Sequence, residues 1–239
     1  MFIYNGFSQT PTRNFQAAGI DFFIPNIDDS NVEQVKIAKE ALKKSYKLSD
    51  EDIERFWITV DGLATEEQAK MFANQRWNLL HLFNALKSAD WFKNHRDESF
   101  TKKVDYFLDN YLRISKDGKL GIACQFSDML FINSGIKVAL EPWKSLEFKN
   151  KSGKGTAGWS VKACLVDEDY AGYMHLSMQY LWYDSEGGGT VYVGDKLTQA
   201  TKQTVETDDA IELTQSEYDE RMKNSKRGSD GFGSSDVQH

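Results

Sequence analysis

The side-chain pattern changes texture twice along this chain, and that change limits the available folds more than any single motif. The segment Ala17-Ala18-Gly19-Ile20-Asp21-Phe22-Phe23-Ile24-Pro25 reads as a buried strand, with small residues that permit close backbone approach and one carboxylate interrupting an apolar run. From Asn31 to about Leu112 apolar residues recur at helical spacing instead. After Arg113 the strand texture returns. Lys116-Asp117-Gly118-Lys119 is a turn, Met129-Leu130-Phe131-Ile132 a buried strand, and Ile136 to Leu140 alternates until Pro142 stops it. Strands on both sides of a helical block predict one β domain carrying inserted helices. The expected bounds are 1–30 and 113–220 for the β domain, 31–112 for the helical insertion, and 221–239 for a flexible C-terminal arm.

Within the helical block, Ser49 precedes three acids at Asp50-Glu51-Asp52, as an N-cap does. Thr65-Glu66-Glu67-Gln68 has the capping-box pattern and opens a helix whose Met71, Leu79, Leu82, Phe83 and Leu86 can face a core. A last helix from about Glu98 carries Phe100, Val104, Phe107, Leu108 and Tyr111. His81 and His95 lack a Cys or carboxylate set at metal-ligand spacing and read as ordinary surface or core histidines. Trp77, Trp91 and Phe92 suit either a partner-binding face or tertiary packing, the latter being their more ordinary use. The block carries no catalytic signature.

Charge narrows the function. A net charge of −7 over 239 residues argues against a nucleic-acid surface held by phosphate neutralisation, but not against one nucleotide in a local basic pocket. Cys124 and Cys164 lie in apolar strand-like contexts and read as reduced core residues. No basic leader and no run of about eighteen apolar residues is present, so neither export nor a membrane span is predicted and a cytoplasmic location is expected.

Four polar segments carry the candidate chemistry. Leu165-Val166-Asp167-Glu168-Asp169-Tyr170-Ala171-Gly172 brings a carboxylate and an aromatic ring to one corner. Phe148-Lys149-Asn150-Lys151-Ser152-Gly153-Lys154-Gly155 offers glycines, a hydroxyl and three lysines to a phosphate, although its spacing is not that of a Walker A loop and no helix clearly follows. Gly194-Asp195-Lys196-Leu197-Thr198-Gln199 opens a further strand, and Lys226 to Ser235 is Gly/Ser-rich with one Arg and one Phe. Asp21 reads equally well as a local Asx turn or cap and as a functional group.

In order, these segments resemble the five motifs of the trimeric dUTPase family: Ala18-Gly19-Ile20-Asp21-Phe22, then Lys151-Ser152-Gly153, then Val166 to Gly172, then Gly194 to Gln199, then Arg227-Gly228-Ser229-Asp230-Gly231-Phe232-Gly233-Ser234. The resemblance implies a mainly β, jelly-roll-like dUTPase β-barrel, α+β overall once the inserted α-helical subdomain is counted. It implies a homotrimer whose arm closes a neighbour's site, and hydrolysis of dUTP to dUMP and pyrophosphate with Mg²⁺. In those roles Asp167 would activate water, Tyr170 would pack under the deoxyribose, and Gly172 would begin the hairpin that reads uracil. Lys151, Ser152, Gly153 and Gln199 would hold phosphates, Arg227, Gly233 and Ser234 would clamp the γ-phosphate, Phe232 would stack on the base, and Asp21 would meet Mg²⁺ through water.

The chain departs from the family pattern at Asn150 and Lys151, where Pro-Arg is usual, at Ala171, where Arg often stands, and at Asp230 within the arm. The Glu that related dCTP deaminases need is absent from His175-Leu176-Ser177-Met178. The alternative reading is a regulatory nucleotide-binding protein on this fold, its helical insertion engaging a protein partner.

Overall fold

The computed structural model describes residues 1–13, 17–163, 165–182, 189–205 and 214–223. The chain divides into two compact units, Met1–Val205 and Glu206–His239. In the first, strands β1 (Phe2–Asn5) and β2 (Ile20–Phe23) precede the helices, and every element from Val32 to Tyr111 is helical. Strands then resume and continue to Thr204. The fold is thus a β-rich α+β arrangement built on antiparallel sheets.

Local capping chemistry sets most helix starts. Asn31 caps α1 (Val32–Tyr46), accepting from the Gln34 amide. Ser49 and Asp52 form a reciprocal capping box at α2 (Asp50–Leu63), as Thr65 and Gln68 do at α3 (Glu66–Phe72). The single helix expected beyond Thr65 is in fact two, because α4 (Arg76–Ala85) restarts after a turn at Gln75. Gln75 gives no side-chain cap; the Asp29 carboxylate, 47 residues away in sequence, accepts from the Arg76 amide at 2.6 Å instead. Burial raises the Asp29 carboxyl above its ordinary range, and the backbone hydrogen bonds from Arg76 and Trp77 only partly offset this. Helices α5 (Asp90–Asn94) and α6 (Phe100–Tyr106) follow, the latter running into a wide π turn at Phe107–Tyr111.

Helices α2 to α6 share one core with the strands, while Ala38, Ala41 and Leu42 of α1 form a second cluster with Phe7 and Ile27. Phe83 lies at the helical centre of the first, with ring centroids 5.0 Å from Phe56, 5.4 Å from Phe107 and 5.7 Å from Phe92. The same cluster runs on through Leu86 to Leu130 and Ile132 of β5 (Met129–Asn133) and Leu120 and Ile122 of β4 (Leu120–Cys124). Trp77 and Trp91 pack against this cluster and Phe92 is buried in it, so these aromatics serve packing. Buried polar groups fix the seam. Tyr46 of α1 donates to the Phe131 carbonyl at 3.0 Å and accepts from the Asn133 amide at 3.1 Å. Asp128 accepts from the Asp90 amide, the Gln125 amide and the Tyr111 hydroxyl. Cys124 is buried.

In the second unit, α8 (Gln215–Met222) opens on a capping box of Thr214 and Glu217. That Thr-x-x-Glu signal stood in the sequence, in a region read only as a strand domain running into a polar arm. Because helices and sheet share Phe83's cluster, Phe83→Ala is expected to cost about 3–5 kcal/mol. In a denaturant titration, tryptophan fluorescence and far-UV circular dichroism should still trace one coincident transition of the Met1–Val205 unit; a helical transition separate from that of the sheet would contradict the shared core.

Candidate functional site

Three of the candidate segments meet on one four-stranded sheet. Its order is β2, β12 (Lys196–Thr204), β7 (Lys144–Asn150), β9 (Leu165–Val166), all antiparallel. Asp21 pairs with Gln199 across β2 and β12, and Gln199 pairs with Lys149 across β12 and β7. Side chains directly opposite share a face. On one face Phe22 is fully buried and packs edge-on against Phe148, centroids 5.1 Å apart. Asp21 and Gln199 therefore lie on the other face.

A bulge in β12 brings one more residue to that face. The register steps from Lys196 opposite Phe23 to Thr198 opposite Phe22, which leaves Leu197 as an extra residue. An uninterrupted strand would alternate Lys196 onto the face opposite Gln199. The extra residue re-aims it toward Asp21. The Lys196 ammonium is 2.9 Å from Asp21 Oδ2 and 5.8 Å from the Phe23 ring centroid.

Lys151, just past the end of β7, completes the cluster with its Nζ 2.5 Å from Asp21 Oδ1. Each carboxylate oxygen of Asp21 thus has its own ammonium partner, and only 6% of the side chain is exposed. Burial raises the Asp21 carboxyl, but hydrogen bonds from Lys151 and Lys196 outweigh it and hold the group below its ordinary 3.8. The Asx-turn or cap expected as the local use of Asp21 is replaced by this three-residue ion cluster.

Gln199 donates to the Asn150 carbonyl at 2.9 Å, and a Cβ on Gly19 would come within 2.8 Å of Gln199 Oε1. Glycine at position 19 leaves room for that amide. Asn150 in turn accepts from the Val161 amide at 2.8 Å. Ser152 and Gly153 are exposed on a one-turn helix, α7 (Ser152–Thr156), that the sequence did not announce. A Cβ at Gly153 would meet nothing within 4 Å, so space alone does not require glycine there. Beside them Lys154 pairs with Asp195 at 3.1 Å, and Gly194, at φ +85°, closes the turn that carries Asp195.

Asp167 stands elsewhere. Val166 pairs with Leu146 and Leu165 with Glu147, so the chain leaves β9 heading away from Asn150. At about 3.4 Å per residue, Asp167, which follows Val166 opposite Leu146, lies roughly 20 Å along the sheet from Lys151. Tyr170 donates to the Tyr173 carbonyl at 2.9 Å, and a Cβ on Gly172 would come within 2.6 Å of its hydroxyl. Asp167 and Tyr170 are both exposed. One chain therefore assembles Asp21, Lys151, Ser152, Gly153 and Gln199 at one end and Asp167, Tyr170 and Gly172 at the other. Arg227, Phe232, Gly233, Ser234, Asp230 and Cys164 lie outside the described residues.

Among the described residues no group of three His, Cys, Asp or Glu side chains stands close enough to hold a metal ion. Asp21, whose two oxygens each face an ammonium, does not fit a divalent cation or the water shell of one. Reading the sequence missed Lys196 and the Lys154–Asp195 pair. Lys196 stood inside a segment already singled out, but the bulge that turns it to the site is a property of strand pairing.

No protein-family model and no curated protein matches the chain. Among solved structures, a mutant dUTPase from phage phi11 of S. aureus, which coordinates a structural Mg(II) ion, matches at 14% identity over 39% of this chain and 76% of its own, TM-score 0.35. A mutant dUTPase of Staphylococcus bacteriophage 80alpha with dUpNHpp matches at 15% identity over 49% and 81%, TM-score 0.39. The native dUTPase of EIAV matches at 15% identity over 44% and 92%, TM-score 0.32.

The lowered Asp21 carboxyl contributes stability that is complete above its ordinary value and is lost as pH falls through the folded-state value. The stability advantage of the wild type over Asp21→Asn should therefore hold from pH 7 to pH 5 and shrink below about pH 4. Denaturant midpoints across that range check this, and an advantage independent of pH would contradict it.

Proposed function

We propose that the protein hydrolyses dUTP to dUMP and pyrophosphate, acting on the magnesium complex of the nucleotide. One observation carries this reading. Strands β2, β7 and β12 bring Asp21, Lys151 and Gln199, from three distant parts of the sequence, onto one face at one sheet end, with Ser152 alongside. The family resemblance places Lys151, Ser152 and Gln199 on the phosphates and Asp21 beside them. Ser152 would donate its hydroxyl to the phosphate chain, Gln199 would hold an α-phosphate oxygen, and Lys151 would balance the charge on the leaving pyrophosphate.

The water-activating carboxylate would then come from a second copy, since β9 carries the chain at Asp167 away from the phosphate end of its own sheet. In a homotrimer, the expected assembly, Asp167 of a neighbour would accept a proton from water as its oxygen attacks the α-phosphorus. The bond from that phosphorus to the bridging oxygen breaks, and the electron pair leaves with pyrophosphate. Tyr170 of the same neighbour would pack under the deoxyribose, and the hairpin beyond Gly172 would read the base. The arm, with Arg227, Phe232, Gly233 and Ser234, would close over the triphosphate and base. We take the strand elements before Val32 and from Leu112 to Thr204 as a jelly-roll-like domain. The helical block, which shares the sheet's core, would buttress it.

The test is pyrophosphate release in Mg²⁺ with dUTP, dCTP, dTTP and UTP. Turnover of dUTP alone is expected, and Asp167→Asn should lower kcat by at least about a thousandfold, a large share of which is the general-base contribution, while dUTP still binds. No release from dUTP, or an Asp167→Asn variant as fast as wild type, would overturn the assignment.

A further inference from the structure

The resemblance makes Asp21 a partner of Mg²⁺ through water, and the geometry of Asp21 disagrees. Its Oδ1 faces the Lys151 ammonium and its Oδ2 the Lys196 ammonium, and the carboxylate is nearly enclosed. A divalent ion brought to this carboxylate would meet two ammonium charges at short range, a repulsion that its own attraction to one carboxylate does not offset. The ammonium groups themselves stay reachable, with 26% of the Lys151 side chain and 40% of the Lys196 side chain exposed. Each ammonium has three N–H donors and spends one on Asp21, which leaves donors on both for a further acceptor.

Lys196 is not on this face by accident of side-chain freedom. The Leu197 bulge turns it there, the Phe23 ring supports it, and Asp21 fixes its head beside Lys151. Gln199, opposite Asp21 across the strand pair, and exposed Ser152, next to Lys151 in the chain, add further donors at this sheet end. Two ammonium groups anchored on one carboxylate form a preorganised cationic pair suited to adjacent phosphate groups.

We infer that Lys196 is a polyphosphate-binding residue, and that Asp21 anchors it and Lys151 as the positive charge at this end of the site, in place of a divalent cation at Asp21. The inference rests on the reading that this sheet end receives phosphates, and it names how they are held. The ligand class is a chain of two or three phosphates, with or without a nucleoside.

The probe is inorganic tripolyphosphate, titrated into the full-length protein by calorimetry with EDTA present. Binding by the wild type is expected without any divalent ion. Lys196→Ala should weaken it about tenfold, as the loss of one charge-assisted hydrogen bond does, and Lys196→Arg should restore it. Lys196→Ala leaves Asp21 its Lys151 partner, so the thermal midpoint should stay near that of the wild type. Binding that appears only when Mg²⁺ is added, or equal affinity for wild type and Lys196→Ala, would overturn the inference. Tripolyphosphate carries neither base nor sugar, so tripolyphosphate binding without dUTP turnover would remove the proposed reaction and leave this assignment. Selective dUTP turnover with no cation-free tripolyphosphate binding would do the reverse.

Discussion

Strand β12 is the member through which the distant parts of this chain meet. It pairs with β2 on one side and along its length with β7 on the other, so a register fixed by the buried row of Phe22, Phe148 and Ala200 also fixes the polar row of Asp21, Gln199 and Lys149. A slip by one residue would exchange the two faces and place Asp21 in the core without its lysines. Burial of the apolar row thereby determines the polar row. The bulge at Leu197 is the one local exception, and it adds Lys196 to the polar side.

The helical block is bound to that sheet system by the same two kinds of force. Apolar contact runs without a break from Phe56 and Phe83 to Leu130 and Ile132. Buried polar groups then hold the orientation: Asn78 both accepts from the Ile27 amide and donates to its carbonyl, and Tyr46 bridges two backbone groups of β5 and its edge. Such groups stabilise little beyond their own desolvation cost when satisfied, but are costly when misplaced, so they select one docking of helices on strands.

Much of this was legible in the sequence because it rests on short-range physics. The switch from strand to helix texture and back, the caps at Ser49 and Thr65, and the use of Trp77, Trp91 and Phe92 in packing follow from periodicity and local hydrogen bonding. What failed to show rests on partners far away in the chain. The break between α3 and α4 depends on Asp29, and the state of Asp21 depends on Lys151, 130 residues on. The turn of Lys196 depends on a strand-pairing irregularity. The helix α8 is different, since its Thr214 and Glu217 box is local and was readable.

The polar face at the Lys151 end has cations and amide donors, while the exposed carboxylate and aromatic ring of Asp167 and Tyr170 stand at the far end of the sheet. Each end by itself lacks what the proposed hydrolysis of a phosphoanhydride needs, and a symmetric assembly that apposed the two ends of different copies would supply it. The most direct measurement mixes two inactive variants, Asp167→Asn and Lys151→Ala, by co-expression, and assays pyrophosphate release from dUTP. A site shared between copies predicts that activity returns in the mixed assemblies, where some sites draw an intact Asp167 from one chain and an intact Lys151 from another. Mixed assemblies as inactive as either parent would contradict a shared site.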